Sequence, residues 1–182
     1  MPHVDLLDLP YFEGITMDAL VSLVDLMAPR TFAKDAVIVR EGDDGPSVLY
    51  IATTGKVAIT KRNPQGEQRR FAELDSPTLF GEIELFCQVP VVATATALTM
   101  VSAFSLTRAT YDQLFEAGHP AIMRFTFNVA RVACHRLAIA DEVLAHAGSS
   151  HDLADVRKAV FTTMMQANSW PSTTGAFLRP KR

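Results

Sequence analysis

The stretch Leu79–Ala95 reads LFGEIELFCQVPVVATA. Its first half has the chemistry of an anion cradle. Gly81 lets a backbone approach a ligand closely, and a short helix opening there points its N–H groups at negative charge. Its second half lacks the counter-charge. After Pro90 come Val91 and Val92, which offer neither a donor nor a cation.

The surroundings of this stretch are β-rich. Between Thr31 and Leu106 the chain carries VIVR (37–40), VLYIAT (48–53), KVAITK (56–61), RRFAEL (69–74) and MVSAFSL (100–106). Turn chemistry separates them: EGDDGPS, TTG and RNPQGEQ. Six or more short strands joined by tight turns predict a barrel or sandwich rather than alternating βα units. Gly42 and Gly55 fall between strands, where a positive φ is expected. Lys56, Lys61, Arg62, Arg69 and Arg70 read as solvated hairpin charges.

Helices flank this region. Thr16 suits an N-cap, Leu20, Leu23, Val24 and Met27 follow at helical spacing, and Pro29 is expected to stop the run. After Thr107, Thr110 is expected to cap a short helix through Phe115 that ends near Gly118. Pro120 suits the first turn of a long helix reaching about His146. On it Ile122, Phe125, Val129, Val132, Ile139 and Val143 form an apolar seam, which Met123, Ala130, Cys134, Leu137 and Leu144 widen. Arg136 interrupts that seam. A stripe so wide can face the β-domain on one side and a second chain on the other. Ser149 and Asp152 resemble a capping box for a last helix from Leu153 to about Asn168. A Pro-, Ser- and Thr-rich tail with Trp170 and Phe177 as candidate aromatic anchors closes the chain.

Composition excludes several classes. The chain has 182 residues, 48% hydrophobic and 20% charged, with a net charge of -3. A core is within reach at that size, and no general basic field draws nucleic acid or an anionic membrane. The start, MPHVDLLDLPYF, is acidic and broken by Pro10, unlike a secretory signal. No apolar run approaches the ~20 residues of a membrane span. Cys87 and Cys134 have neither metal nor redox spacing and are expected to be buried free thiols in a reducing cytoplasm. The five histidines form no ligand pair, and no nucleophile elbow, Walker loop or acid/base pair is present, so no catalytic or metal residue is assigned.

Specific residues narrow the fold further. Glu41-Gly42-Asp43, Leu49-Tyr50-Ile51, Gly55-Lys56-Val57, Phe80-Gly81-Glu82-Ile83, Leu85 and Pro90 occur in one order that resembles the cyclic nucleotide-binding domain family. That family includes catabolite-activator-type regulators, kinase regulatory subunits and gated channels. The resemblance covers roughly Leu6 to Leu144. It implies a mainly β fold with flanking helices, an eight-stranded double-stranded β-helix (a jelly-roll-like β-roll) followed by a long C-terminal helix. The expected organisation is a domain over 1–147, a helical extension over 148–170 and a flexible tail over 171–182.

The resemblance also assigns a site. Phe80, Gly81, Glu82, Ile83, Val91, Val92 and Ala93 correspond to ligand-binding positions of the family's phosphate-binding cassette. Glu82, by resemblance, accepts the ribose 2′-hydroxyl. Val91 stands where the family has the arginine that pairs with the cyclic phosphate, and Val92 where a small or hydroxyl residue is usual. Losing one member of a buried charge pair costs about 2–5 kcal/mol. As cofactor, cAMP or cGMP is therefore expected to bind poorly here. Glu84, where the family prefers a small residue, adds negative charge nearby, pointing either inward or outward.

These features imply a cytoplasmic, non-enzymatic regulatory or sensor protein that relays ligand occupancy through the long helix to a protein partner. It is expected to form a homodimer through that helix, to take a small-molecule ligand, and to bind neither nucleic acid nor membrane. The alternative is a ligand-free scaffold, a protein-interaction module on a repurposed β-roll.

Overall fold

The β-rich runs pair as two four-stranded antiparallel sheets. One contains β1 (Ala28–Phe32), β8 (Val101–Thr107), β3 (Val48–Thr54) and β6 (Thr78–Phe80), in the order β1-β8-β3-β6. The other contains β2 (Val37–Val39), β7 (Thr94–Ala97), β4 (Lys56–Arg62) and β5 (Gln68–Asp75), in the order β2-β7-β4-β5. The structure, a computed structural model, describes residues 5–63 and 65–147. The expected final helix, its capping pair Ser149 and Asp152, the tail, and the side chains of Val143 and Leu144 lie outside the described residues.

Two apolar clusters hold the architecture. Between the sheets, Val57, Leu74, Phe80 and Val101 pack with the small residues Ala52, Ala95, Ala97 and Ala103. Small side chains at facing positions let the two sheets approach. On the outer side of the β1-β8-β3-β6 sheet, Leu49, Ile51, Leu79 and Leu106 join Leu6, Phe12, Leu20, Leu23, Ile122 and Phe125. This second cluster fastens the helices to the roll. Burying one Leu- or Phe-sized side chain contributes roughly 1.5–3 kcal/mol, so it is a major part of the fold's stability.

The helices follow the sequence with local differences. α1 (Met17–Asp25) is capped by Thr16, whose Oγ1 accepts the Ala19 N–H at 3.3 Å. Pro29 is not its stop. The helix already ends at Asp25, and Pro29 lies in β1, an edge strand where a missing N–H is tolerated. α3 (Arg108–Glu116) starts one turn earlier than expected. Thr107 caps it, its Oγ1 accepting the Thr110 N–H at 3.2 Å, so Thr110 is a donor inside the helix rather than its cap. Gly55 has φ +91°, and a Cβ there would lie 2.3 Å from the Met100 carbonyl oxygen, which explains glycine in that hairpin.

α4 (Pro120–Ala147) is the long helix the apolar spacing predicts. Ile122, Phe125, Val129 and Val132 are buried. Met123, Ala130, Cys134 and Leu137 are exposed, so the inward stripe is narrower than the sequence suggests. Asn128 is buried among the apolar positions and donates through Nδ2 to the carbonyls of Tyr11 at 3.0 Å and Glu13 at 2.9 Å. It stitches α4 to the N-terminal 3-10 turn at Pro10–Phe12. The cysteines are also unlike the expectation. Both are free, as expected, but exposed: Cys87 ends the short helix α2 (Glu82–Cys87), and Cys134 lies on the outer side of α4. Burial of free cysteine is a tendency of composition, and helix phase overrode it here.

Candidate ligand site

The Leu79–Ala95 stretch folds as the end of β6, the left-handed turn at Gly81, α2 and a return loop into β7. Gly81 has φ +86°, and a Cβ on it would lie 2.4 Å from the Val48 carbonyl oxygen. Both constraints exclude a side chain. The return loop is pinned by its backbone: Val91 N–H donates to Asp43 O at 3.0 Å, and Gly42 N–H donates to Val91 O at 2.8 Å. The buried Thr94 hydroxyl oxygen accepts the Glu41 N–H at 2.9 Å.

These elements enclose a small hollow. Val39 of β2, Val48 and Tyr50 of β3 and the turn Gly45, Pro46 and Ser47 form one wall. Gly81, Glu84, Val89 and Val91 form the other. Its volume is about 70 Å³. One water needs at least ~10–15 Å³ on that scale, so the hollow accommodates a few waters or a group the size of a sugar ring. Tyr50 stacks on Phe80 with ring centroids 5.3 Å apart, and burial raises its hydroxyl pKa despite the nearby Arg30.

The charge in the hollow is negative. Glu84 faces inward and is only 8% exposed. Its Oε1 accepts the Val92 N–H at 2.8 Å. Every other lining residue is uncharged. The cations of the β-region stay on the surface: Lys56 pairs with Asp75 at 2.8 Å, Arg70 with Glu73 at 3.4 Å and Arg69 with Glu67 at 3.6 Å. Lys61 and Arg62 are exposed.

Glu82 takes a different direction from Glu84. Arg136 of α4 donates through Nη1 to Glu82 Oε1 at 2.7 Å and through Nη2 to Tyr11 Oη at 2.7 Å. Both partners of the ion pair are largely buried, at 16% and 17% side-chain exposure. Burial raises the Tyr11 pKa well above its ordinary value, with Glu82 adding to the rise and Arg136 opposing it. From α3, Arg108 Nη1 donates to Leu85 O at 3.0 Å while its Nε pairs with Asp112. The cassette helix is thus held from α3 and from α4, and the same arginine ties α4 to Tyr11 of the N-terminal turn.

The structure brings Gly81 and Val91 of the expected site to the hollow. Phe80 is buried against Tyr50, and Glu82 is engaged by Arg136 outside the lining. Ile83 is 45% exposed on the outer face of α2. Val92 contributes its N–H to Glu84, and Ala93 is half-buried beside it. Sequence reasoning missed two participants. The sequence leaves the direction of Glu84 open, and its one signal is a charge at a position where a small residue is usual. Arg136 was visible as the charged break in an apolar seam, but its partner was not. Among the described residues no cluster of His, Cys, Asp or Glu could hold a metal ion.

Comparison with known proteins places residues 29–117 on the model of the cyclic nucleotide-binding domain. The chain is 32% identical over 97 residues to a CRP-like cAMP-activated global transcriptional regulator of Mycobacterium tuberculosis, a match covering 53% of this chain and 43% of that protein. It therefore spans less than half the length of that curated relative. The N-terminal domain of a transcriptional regulator from Streptomyces coelicolor A3(2) superimposes with a TM-score of 0.60 at 29% identity, covering 67% of this chain and 86% of that one. The regulatory subunit of a cAMP-independent protein kinase A from Trypanosoma cruzi, bound to guanosine, shares the fold with a TM-score of 0.56 at 23% identity, covering 72% of this chain and 48% of that one.

Proposed function

We propose, for a chain that belongs through residues 29–117 to the cyclic nucleotide-binding domain family, that it is a non-enzymatic regulatory module. A small ligand in the β-roll hollow biases the position of α2, and α4 carries that bias to a protein partner. The observation that carries this reading is the ion pair between Glu82 at the start of α2 and Arg136 on α4. A ligand that shifts the cassette must stretch or break this pair, and a ligand moves an equilibrium only through such differential contacts. Similarity to a transcriptional regulator and to a cAMP-dependent protein kinase regulatory subunit supports the class.

The partner surface is proposed on the outer face of α4. Met123, Phe127 and Leu137 are 46%, 58% and 61% exposed there. A second copy of the chain packing along these residues makes the homodimer expected from the sequence. Neither nucleic acid nor membrane enters the reading, since the net charge is -3 and no described helix is long and apolar enough to cross a membrane.

A second reading is favoured by one observation: valines at 39, 48, 89 and 91 leave a hollow of only about 70 Å³. On that reading the roll is a ligand-free scaffold and the helices alone engage the partner. Hydrogen exchange of the purified chain, with and without saturating cAMP, cGMP and guanosine, separates the two. The sensor reading expects bound ligand to change amide protection along α4 around Arg136. Bound ligand with unchanged α4 protection refutes the relay, and binding of no ligand favours the scaffold.

A further inference from the structure

We propose that the hollow selects a neutral ribonucleoside and rejects its phosphorylated forms, with Glu84 as the acceptor for the ribose hydroxyls. This inference rests on the reading of the hollow as a ligand site. Glu84 is the charged residue on the lining, it is nine-tenths buried, and no cation shares the hollow with it. A phosphate entering there gives up its water, meets a carboxylate and finds no counter-charge, an arrangement that is heavily disfavoured.

The same carboxylate suits a diol. An ionised carboxylate offers about four lone-pair sites, and the Val92 N–H occupies one of them. That bond also fixes the side chain of a residue on the lining, so less ordering remains for a ligand to impose. Hydroxyls donating to a carboxylate form charge-assisted bonds, stronger than neutral ones. Two further hydroxyl-bearing residues, Ser47 and Tyr50, stand on the lining. Glu82 is not free to serve the sugar, because Arg136 holds it outside.

Size and wall chemistry complete the class. A volume of about 70 Å³ suits a sugar ring rather than a whole nucleoside. The base then lies outward, where Val39 and the partly exposed Val89 offer apolar surface to a flat heterocycle. A free sugar lacks that contact, and a nucleotide adds the charge that Glu84 repels.

The test is isothermal titration of the full chain with guanosine, adenosine, 2′-deoxyguanosine, cAMP and cGMP. A ribonucleoside is expected to bind with micromolar affinity, and the cyclic nucleotides at least about a hundredfold more weakly. Removing the 2′-hydroxyl should weaken binding about tenfold, and so should Glu84→Gln, which keeps the acceptor for Val92 N–H but loses the charge. A ligand-free melt of Glu84→Gln close to that of the parent excludes misfolding as the cause. The double variant Glu84→Ala, Val91→Arg should reverse the preference toward cAMP. If cAMP or cGMP binds the parent chain more tightly than either ribonucleoside, the ligand class is overturned while the sensor reading stands. If none of the five binds, both fall.

Discussion

Arg136→Met removes the guanidinium while keeping most of its apolar stem, and its effect can be worked from the geometry. Two bonds disappear, to Glu82 at 2.7 Å and to Tyr11 at 2.7 Å. Glu82 is left 17% exposed with no counter-charge. A hydrogen bond to a charged group contributes about 1.5–3 kcal/mol, and breaking a fully buried pair costs about 3–5 kcal/mol. Residual exposure screens this pair, so the expected loss is about 2–3 kcal/mol. For a chain of this size each kcal/mol moves the melting midpoint by about 2–4 °C, so the drop should be about 4–12 °C. Glu82→Gln should cost less, because Arg136 retains Tyr11 and part of its bond to the amide oxygen. The double variant isolates the link. Coupling between the two sites is expected at about 1–2 kcal/mol, read from denaturant unfolding of the parent, both single variants and the double. Additivity within about 0.3–0.5 kcal/mol would show that α2 and α4 are not energetically joined through this pair. The relay along α4 would then lose its physical basis.

Three further outcomes follow from single features. Gly81→Ala should lose at least about 2 kcal/mol in denaturant unfolding, since φ is +86° and the new Cβ would meet the Val48 carbonyl at 2.4 Å. Asn128→Ala strands the buried carbonyl of Tyr11, also loses the part-buried bond to the Glu13 carbonyl, and should cost about 1–3 kcal/mol in the same assay. Tyr11 predicts an alkaline limit. Its pKa is raised in the folded state, so above about pH 10 the unfolded chain releases a proton that the native chain keeps. Stability should therefore fall as pH rises past 10, and the fall between pH 9 and 11 should be shallower in Tyr11→Phe.

The order of strands and helices was readable from sequence because its causes are local. Alternating apolar runs, turn glycines at 42 and 55 with positive φ, and the 28-residue helix from Pro120 depend on residues close in the chain. The ordered motifs from Glu41 to Pro90 also carried the family. Errors fell where two local rules competed or a tendency met a specific phase. Thr107 and Thr110 are both good caps, and only the end of β8 decides that Thr107 takes the role. Cys87 and Cys134 have a composition that favours burial, yet both face outward.

Local sequence was enough to set a β-roll flanked by helices, with valines rather than an arginine directly after Pro90. That Glu84 rather than Glu82 lines the hollow beside Val91 is a matter of tertiary packing. Glu82 and Glu84 are two residues apart on a one-and-a-half-turn helix, so they project in different directions. Which of them meets the hollow and which meets Arg136, 54 residues away, depends on how α4 packs across the roll. No periodicity within the chain encodes that contact, because it joins elements whose relative placement is set by the whole apolar cluster beneath α4.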